Sequence, residues 1–235
     1  MKQLYIIKTG DTFEEIKASL GDFEDWIANR TGLSQPVVID VQKHDALPDV
    51  TSCRGVIISG SHDMVTENLE WSLQVEDFIR LLARHHVPTL GICYGHQLIV
   101  KALGGRVDFH PRGMELGSVR VQMKQEAKDD AIFKHLPSTF VVHVVHSQSA
   151  MSLPAGARVL AFNDFENFHA FRMESNIWGV QFHPEYTQDV MNAYIKKVCD
   201  VENRGQETLQ TLLANTQDTT FANQVIPLFV DVCMR

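Results

Sequence analysis

The chain has 235 residues and a formal net charge of -8 at pH 7, and this length is enough to bury a core within one domain. The negative balance and the lack of a Lys and Arg cluster argue against a nucleic-acid partner, because such binding rests on local positive charge. No apolar run approaches the roughly 20 residues that cross a bilayer, so we expect no membrane association.

The first hundred residues alternate short β-rich runs with helical patterns. The runs QLYIIKT, PVVIDV, RGVIISG and VPTLGI predict strands, and TFEEIKASLGDFEDWIA, ENLEWSLQVEDFIRLLARHH and YGHQLIVKALGG predict helices. Strands that alternate with helices indicate right-handed crossovers and a mostly parallel sheet that is covered on both faces. The pattern therefore predicts a doubly wound α/β fold.

From about Val107 to Gln181 the pattern changes to strands without helices between them. The runs are SVRVQM, FVVHVVH, ARVLAF, FHAFRM and IWGVQF. Such strands usually pair antiparallel or extend a sheet edge, and we interpret them as an added antiparallel β layer. A helix, DVMNAYIKKVCDVEN, follows. We predict one domain over residues 1–203 and a C-terminal extension over residues 204–235, which packs on that domain or forms a homodimer face.

One cysteine lies in the turn between the predicted strand VPTLGI and the next helix. The sequence GICYG has the form G-x-C-x-G, with Cys93 between Gly91 and Gly95. Glycines flank a nucleophile on such a turn because the backbone is sharply bent and neighbouring chain passes close by. The free N–H groups and positive dipole end of a helix favour a thiolate and can hold an oxyanion. The alternative is that Cys93 is a small apolar core residue.

The other three cysteines lack such a setting. Cys53, Cys199 and Cys233 are interpreted as packing residues, and the four cysteines form no CxxC pair. The N-terminus has no basic segment followed by an apolar signal core. We therefore expect free thiols in a reducing cytoplasm.

A second polar pair follows the run IWGVQF. His183 and Glu185 are two residues apart, which in extended chain places both side chains on one face, and Pro184 stiffens the link between them. A cysteine nucleophile needs a base and a group that orients the base. Because sites in doubly wound sheets form at the carboxyl ends of strands, we expect Cys93 and His183 to meet there.

Together, GICYGHQ and GVQFHPE resemble the class I (triad) glutamine amidotransferases, and they are most similar to the glutaminase domain of GMP synthase. The two motifs occur in this order about ninety residues apart, and the resemblance extends over roughly the first two hundred residues. It implies a flavodoxin-like α/β fold. It also implies a catalytic triad of Cys93 as nucleophile, His183 as acid and base, and Glu185 as the group that orients His183, with a γ-glutamyl thioester intermediate.

The resemblance further implies an oxyanion hole made of backbone N–H groups. One is that of Tyr94, and the other comes from the loop IISGSHDMV, at Gly60 or Ser61. The family usually has SGGP where this chain has SGSH. A serine can supply a backbone donor, but it tolerates a positive φ less well than glycine, so the loop conformation is the open question.

Two residues are implied near the substrate. Gln97 matches the glutamine of GxCxGxQ, and its alternative is an ordinary position on the helix surface. The segment VHSQSAMSLP resembles the family's SHxDxVxxLP, which aligns His146 with the family histidine. Gln148 stands where aspartate is usual and Val145 where serine is usual, so substrate contacts are expected to differ from those in GMP synthase.

Neither a metal nor a cofactor is expected. Among the eleven histidines, His143 and His146 are three apart in a strand-like run, so they point to opposite faces and cannot share an ion. No GxxxxGK[ST] stretch is present, so nucleotide chemistry is not indicated.

Three functions are compatible with these features. The first is a free-standing enzyme that hydrolyses glutamine and works alone or with a separate synthase subunit. The second is a γ-glutamyl peptidase or hydrolase that acts on a larger γ-glutamyl substrate, which the altered SGSH loop and Gln148 favour. The third is a non-catalytic subunit that regulates a synthase. The intact triad argues against this third function.

Overall fold

The computed structural model describes residues 2–34, 36–173 and 176–235. Within these residues the chain forms eleven strands: β1 (Gln3–Lys8), β2 (Val37–Asp40), β3 (Cys53–Ile58), β4 (Thr89–Ile92), β5 (Arg106–Phe109), β6 (Glu115–Met123), β7 (Thr139–His146), β8 (Gln148–Ser152), β9 (Arg158–Phe162), β10 (Ala170–Met173) and β11 (Ile177–Val180). The α-helices are α1 (Glu14–Leu20), α2 (Phe23–Thr31), α3 (Glu70–Arg84), α4 (Tyr94–Ala102), α5 (Gln188–Val201), α6 (Gln206–Ala214) and α7 (Val225–Met234).

Nine strands form one mixed sheet in the order β2-β1-β3-β4-β11-β10-β9-β6-β7. The first five are parallel to one another, and the pairings of β11 with β10, β10 with β9, β9 with β6 and β6 with β7 are antiparallel. The predicted α/β class, with a mostly parallel doubly wound half and added antiparallel strands, is confirmed. Most of the added strands extend the edge of the parallel sheet.

A separate two-stranded antiparallel sheet pairs β5 with β8. No strand was predicted at either place. The β5 run RVDF alternates polar and apolar residues over only four positions, and the β8 run QSAMS has no β-branched or aromatic residue, so neither gives a clear strand signal.

The parallel strands are covered on both faces because their successive side chains alternate between the two sides. Ile6 and Ile57 belong to a core that includes residues of α2 and α7. Ile7 and Ile58 face the other way and pack with α3 and α4. These four isoleucines are fully buried, and each contributes about 2 kcal/mol of hydrophobic stabilisation.

The helical pattern TFEEIKASLGDFEDWIA forms two helices instead of one. α1 ends at Gly21, which has a φ of 86°, and Asp22 caps the start of α2 through a capping box with Asp25. A positive φ favours glycine, and a capping box satisfies free N–H groups at a helix start. The break turns α2, so that Phe23 and Trp26 lie in a third core, which also contains residues of α5.

The C-terminal residues return to the main sheet. α7 packs against β3 and α2, and Val225, Ile226 and Phe229 are fully buried in the same core as Ile6 and Ile57. Gly55 on β3 makes room for this helix, since a Cβ at that position would overlap Cys233.

Candidate active site

Cys93 sits on a strained turn between β4 and α4. Its backbone has φ 49° and ψ -98°, a conformation that residues other than glycine rarely adopt and that costs about 1–3 kcal/mol. A Cβ at Gly91 would overlap the carbonyl of Gly95, and a Cβ at Gly95 would lie 2.5 Å from the carbonyl oxygen of Ile58. The glycines of G-x-C-x-G are therefore required by close backbone contacts on both sides of the turn.

Backbone hydrogen bonds fix this turn to the strands on either side. The N–H of Cys93 donates to the carbonyl of Val180 at the end of β11 (2.9 Å), and the N–H of Gly95 donates to the carbonyl of Ser59 after β3 (3.1 Å). The turn is thus held at the carboxyl edge of the parallel strands, where ligand sites form in such sheets.

His183 and Glu185 follow β11 at the same edge. Nδ1 of His183 lies 2.7 Å from Oε1 of Glu185, and each side chain is about 1% exposed. The backbone N–H of His183 donates to the carbonyl of His143 (2.9 Å). Burial disfavours the charged imidazole, but the Glu185 carboxylate and the Cys93 sulfur outweigh it and raise the pKa of His183 to about 10.

Aromatic rings fix the orientation of the His183 ring. Tyr186 stacks on it with centroids 4.1 Å apart, and Phe23 lies nearly parallel to it at 6.4 Å. A Cβ at Gly60 would lie 3.2 Å from Cε1 of His183. Nε2 of His183 has no hydrogen-bond partner among the described residues, and it is the ring atom left free for chemistry.

Cys93 and His183 line one cavity of about 220 Å³. Its walls differ in character. The polar lining comprises Ser61, Asp63, Gln97, His146, Ser147 and Gln148, and the aromatic and apolar lining includes Phe13, Phe23, Met64, Met114, Tyr186, Tyr194 and Val198, with His62 among them. The cavity is therefore lined both by hydrogen-bonding groups and by aromatic and apolar surface.

The loop after β3 reaches the cavity without backbone strain. Neither Gly60 nor Ser61 has a positive φ, so the serine in SGSH is compatible with the loop conformation. Thr9 holds the loop, because its Oγ1–H lies between the carbonyl oxygens of Ser59 and Gly60, 3.0 Å from each. Ser61 and Tyr94 both line the cavity, and Tyr94 is the first residue of α4, where backbone N–H groups lack helical partners.

Gln97 is part of a buried amide network that also holds the thiol. Its Nε2 donates to the carbonyl of Gln148 (2.7 Å) and to Oε1 of Gln181 (3.1 Å). Nε2 of Gln181 in turn donates to Sγ of Cys93 at 3.6 Å. The sequence predicts no role for Gln181, although it belongs to the quoted motif GVQFHPE, because an amide just after a strand gives no signal of which side chain it will meet.

His146 lines the cavity, but both of its ring nitrogens face protein acceptors. Nδ1 lies 3.0 Å from the carbonyl of Gln148, and Nε2 lies 3.0 Å from Oε2 of Glu115. Burial disfavours the Glu115 carboxylate, but His146 and His169 outweigh it and hold its pKa well below its usual range. His146 is thus positioned to support the Gln148 backbone. His143, in contrast, does not line the cavity, and burial lowers its pKa to about 4.

No metal site is apparent in residues 2–34, 36–173 and 176–235, where no group of three or more His, Cys, Asp or Glu side chains is placed to hold an ion. In the same part of the chain, no helix combines the length and apolar character needed to span a membrane. The four cysteines are free and buried.

The chain is similar in sequence to known proteins. Residues 22–200 match the family model described as glutamine amidotransferase class-I. The chain is 35% identical over 166 residues to the glutamine-hydrolysing GMP synthase of Staphylococcus aureus strain Newman, covering 68% of this chain and 30% of that protein. It is 27% identical over 188 residues to gamma-glutamyl peptidase 4 of Arabidopsis thaliana, covering 77% and 75% respectively.

The fold also matches a solved structure. The crystal structure of a glutamine amidotransferase from Thermotoga maritima superimposes with a TM-score of 0.78 and 18% identity, and the match covers 100% of both chains.

Proposed function

The chain belongs to the class I glutamine amidotransferase family, and we propose that it hydrolyses the side-chain amide of glutamine to glutamate and ammonia through Cys93, His183 and Glu185. One observation carries this proposal: residues from the ends of β4 and β11 meet in one cavity, with the imidazole bonded to a carboxylate on one side and free on the other. This is the arrangement that an activated thiol nucleophile requires.

The reaction proceeds in two acyl-transfer steps. The Cys93 thiolate attacks the amide carbon, and Nε2–H of His183 gives its proton to the departing nitrogen, which leaves as ammonia. The γ-glutamyl group is then bound to Sγ as a thioester. His183 accepts a proton from water, which attacks the thioester carbon and releases glutamate and the thiolate. Proton transfer by a positioned side chain contributes about 10²- to 10⁴-fold.

Backbone donors stabilise the negative oxygen that forms in each step. We assign these donors to the N–H of Tyr94 and to an N–H of Gly60 or Ser61, because Tyr94 and Ser61 line the cavity beside Cys93. Loss of one such donor costs about 3 kcal/mol of transition-state stabilisation.

In this proposal the polar lining residues of the cavity hold the glutamyl group. Both N–H groups of the Gln97 amide are used within the protein, so its Oε1 is left to accept a hydrogen bond from the substrate. His146 acts indirectly in this proposal, since it supports the Gln148 backbone.

The test is covalent labelling with diazo-oxo-norleucine, a glutamine mimic that carries an electrophile. We expect one adduct by intact mass in the natural protein and in Cys199→Ala, and none in Cys93→Ala, which also loses turnover while it remains folded. Glutamine turnover that is unchanged in Cys93→Ala would refute the proposal. An active natural protein also excludes a purely regulatory subunit.

A second candidate function is hydrolysis of a γ-glutamyl amide larger than glutamine. The aromatic lining of the cavity favours it, because Phe13, Phe23 and Tyr194 line the same cavity as Cys93 and offer contact surface for an apolar group attached to the γ-glutamyl amide. Of the two relatives that the chain matches in sequence, it covers gamma-glutamyl peptidase 4 of Arabidopsis thaliana more fully, over 75% of that protein's length.

The two candidate functions are distinguished by comparing turnover of two substrates. If the second holds, kcat/KM for γ-glutamyl-phenylalanine exceeds that for glutamine, and Phe13→Ala removes the difference without affecting glutamine. Equal loss on both substrates, or a preference for glutamine, would favour the first.

We also propose a partner protein that uses the ammonia. The chain spans 30% of the Staphylococcus aureus GMP synthase that it resembles. We infer that a synthase consumes the ammonia in the first function. Addition of that partner with its acceptor should raise glutamine turnover, whereas the second function needs no partner.

A further inference from the structure

The segment that carries Glu185 has almost no regular structure of its own. Residues 181–187 lie between β11 and α5 and form only bends and turns, so their carbonyl groups must find partners elsewhere. Two of these carbonyls, those of Pro184 and Tyr186, flank Glu185 directly in the sequence.

One side chain of the C-terminal extension bonds to both carbonyls. Nδ2 of Asn223 donates to the carbonyl of Pro184 (2.7 Å) and to that of Tyr186 (3.0 Å). The Tyr186 carbonyl accepts a further, longer bond from Nη2 of Arg30 (3.3 Å). Both hydrogens of a single amide nitrogen thus hold the backbone on the two sides of Glu185.

Asn223 is itself held on a buried element. Oγ1 of Thr219 lies 3.5 Å from Oδ1 of Asn223, and the backbone N–H of Asn223 donates to the carbonyl of Thr219 (3.0 Å). Its neighbours Ala222, Val225 and Ile226 are fully buried. The amide therefore has a fixed position relative to the sheet, and residue 223 lies outside the region that matches the family model, residues 22–200.

We propose that Asn223 is a positioning residue that holds the Glu185 carboxylate against Nδ1 of His183, so that the C-terminal extension is part of the catalytic scaffold. This inference rests on the proposed triad. The Glu185–His183 contact is 2.7 Å, and movement of the segment by a fraction of an ångström would lengthen it.

Weakening this contact has a defined consequence. Glu185 favours the protonated form of His183, so a displaced carboxylate makes the imidazolium less stable. His183 then releases its proton at a lower pH, although it must keep this proton to donate it to the departing nitrogen. We expect kcat to fall and the upper limb of the pH profile to move to lower pH, while KM is unchanged because Gln97 and Gln148 are not involved.

The test compares Asn223→Asp with Asn223→Ala. Asp keeps the size of Asn and an acceptor for Thr219, but it replaces the donor that faces two carbonyls. Both variants should lose about 10- to 100-fold in kcat, with Asp no better than Ala. The matched control is Asn215→Asp, at an exposed position in the same extension, which should leave kcat and the pH profile unchanged. Asn223→Ser, which retains one donor, should lie between Ala and the natural protein.

A second readout does not depend on the substrate. The rate of Cys93 alkylation by iodoacetamide at neutral pH reports the thiolate that pairs with imidazolium, and it should fall in Asn223→Asp and Asn223→Ala. The inference would be overturned if Asn223→Asp had the same kcat and the same Cys93 alkylation rate as the natural protein. So would a loss of kcat without a change in the pH limb, which would indicate a purely structural role. Failure of the proposed function itself is distinguishable, since the natural protein would then show neither turnover nor labelling that depends on Cys93.

Discussion

The two motifs of the site are held in place by different means. The turn around Cys93 is fixed by backbone contacts, with Gly91 and Gly95 closely packed and N–H groups bonded to adjacent strands. The segment with His183 and Glu185 is fixed by side chains from distant parts of the chain, including Phe23, Arg30 and Asn223. The proposed nucleophile is thus positioned mainly by close-packed backbone, and the proposed acid and its carboxylate mainly by contacts with side chains.

This difference indicates which property a substitution in each motif changes. A change at a glycine of the turn forces strands and helix apart, so it acts on the stability of the whole domain. A change in the His183 segment leaves the sheet intact, so it acts on protonation and rate. The following substitutions separate the two effects.

The largest expected effect follows from Glu185→Gln. The amide keeps the shape but removes the charge that raises the pKa of His183 to about 10 against the opposing effect of burial. Turnover should fall about 10²- to 10⁴-fold, and the upper limb of the kcat/KM profile should move to lower pH.

The measurement is kcat/KM between neutral and alkaline pH, with Glu207→Gln, at an exposed position in α6, as the control. An upper limb at the same pH in Glu185→Gln would show that Glu185 does not influence His183 as proposed.

The second effect concerns the turn. In Gly95→Ala the new Cβ would lie 2.5 Å from the carbonyl oxygen of Ile58, and α4 must move away from β3. Overpacking of this kind costs roughly 3 kcal/mol, which chemical denaturation should detect together with lost turnover. Gly205→Ala is the control, because no atom lies within 4 Å of the position that its Cβ would occupy. Equal stability of the two variants would contradict the steric account.

The smallest effect tests the strain at Cys93. Its φ of 49° and ψ of -98° suit glycine, so Cys93→Gly should be more stable than Cys93→Ala by about 1 kcal/mol. At Ala18, an exposed helical position in α1, replacement by glycine should instead lower stability by a similar amount. Unfolding free energies measure both differences. A more stable Cys93→Ala would argue that the turn is relaxed.

Much of the fold was predictable, and the reason is local. Runs such as RGVIISG and VPTLGI show the β-rich composition of buried parallel strands, and helices follow them at regular spacing. The strands β5 and β8 were missed because their pairing depends on where α4 and β7 place them. The break between α1 and α2 was missed because the helical spacing continues through Gly21.

The site was predictable to the same extent. Cys93, His183 and Glu185 stand in short motifs whose spacing indicates a turn and an extended pair, and the structure brings all three together at one edge of the sheet, with Cys93 and His183 lining the cavity. Gln181, Glu115 and Asn223 gave no such signal, because an isolated amide or carboxylate in a strand or turn has no preferred partner until the fold is formed.

The sequence by itself indicated the bend at Cys93, because Gly91 and Gly95 flank it in the pattern G-x-C-x-G between a β-rich run and a helical one. The sequence also determined the doubly wound half of the fold, through the composition of its β-rich runs and their alternation with helical patterns. Only the tertiary structure decided which rings surround His183, which amides reach Cys93, and that Asn223 bonds on both sides of Glu185. These contacts join residues far apart in the chain, so they depend on the packing of the sheet and its helices, whereas the residues that mark the bend lie within one stretch of the sequence.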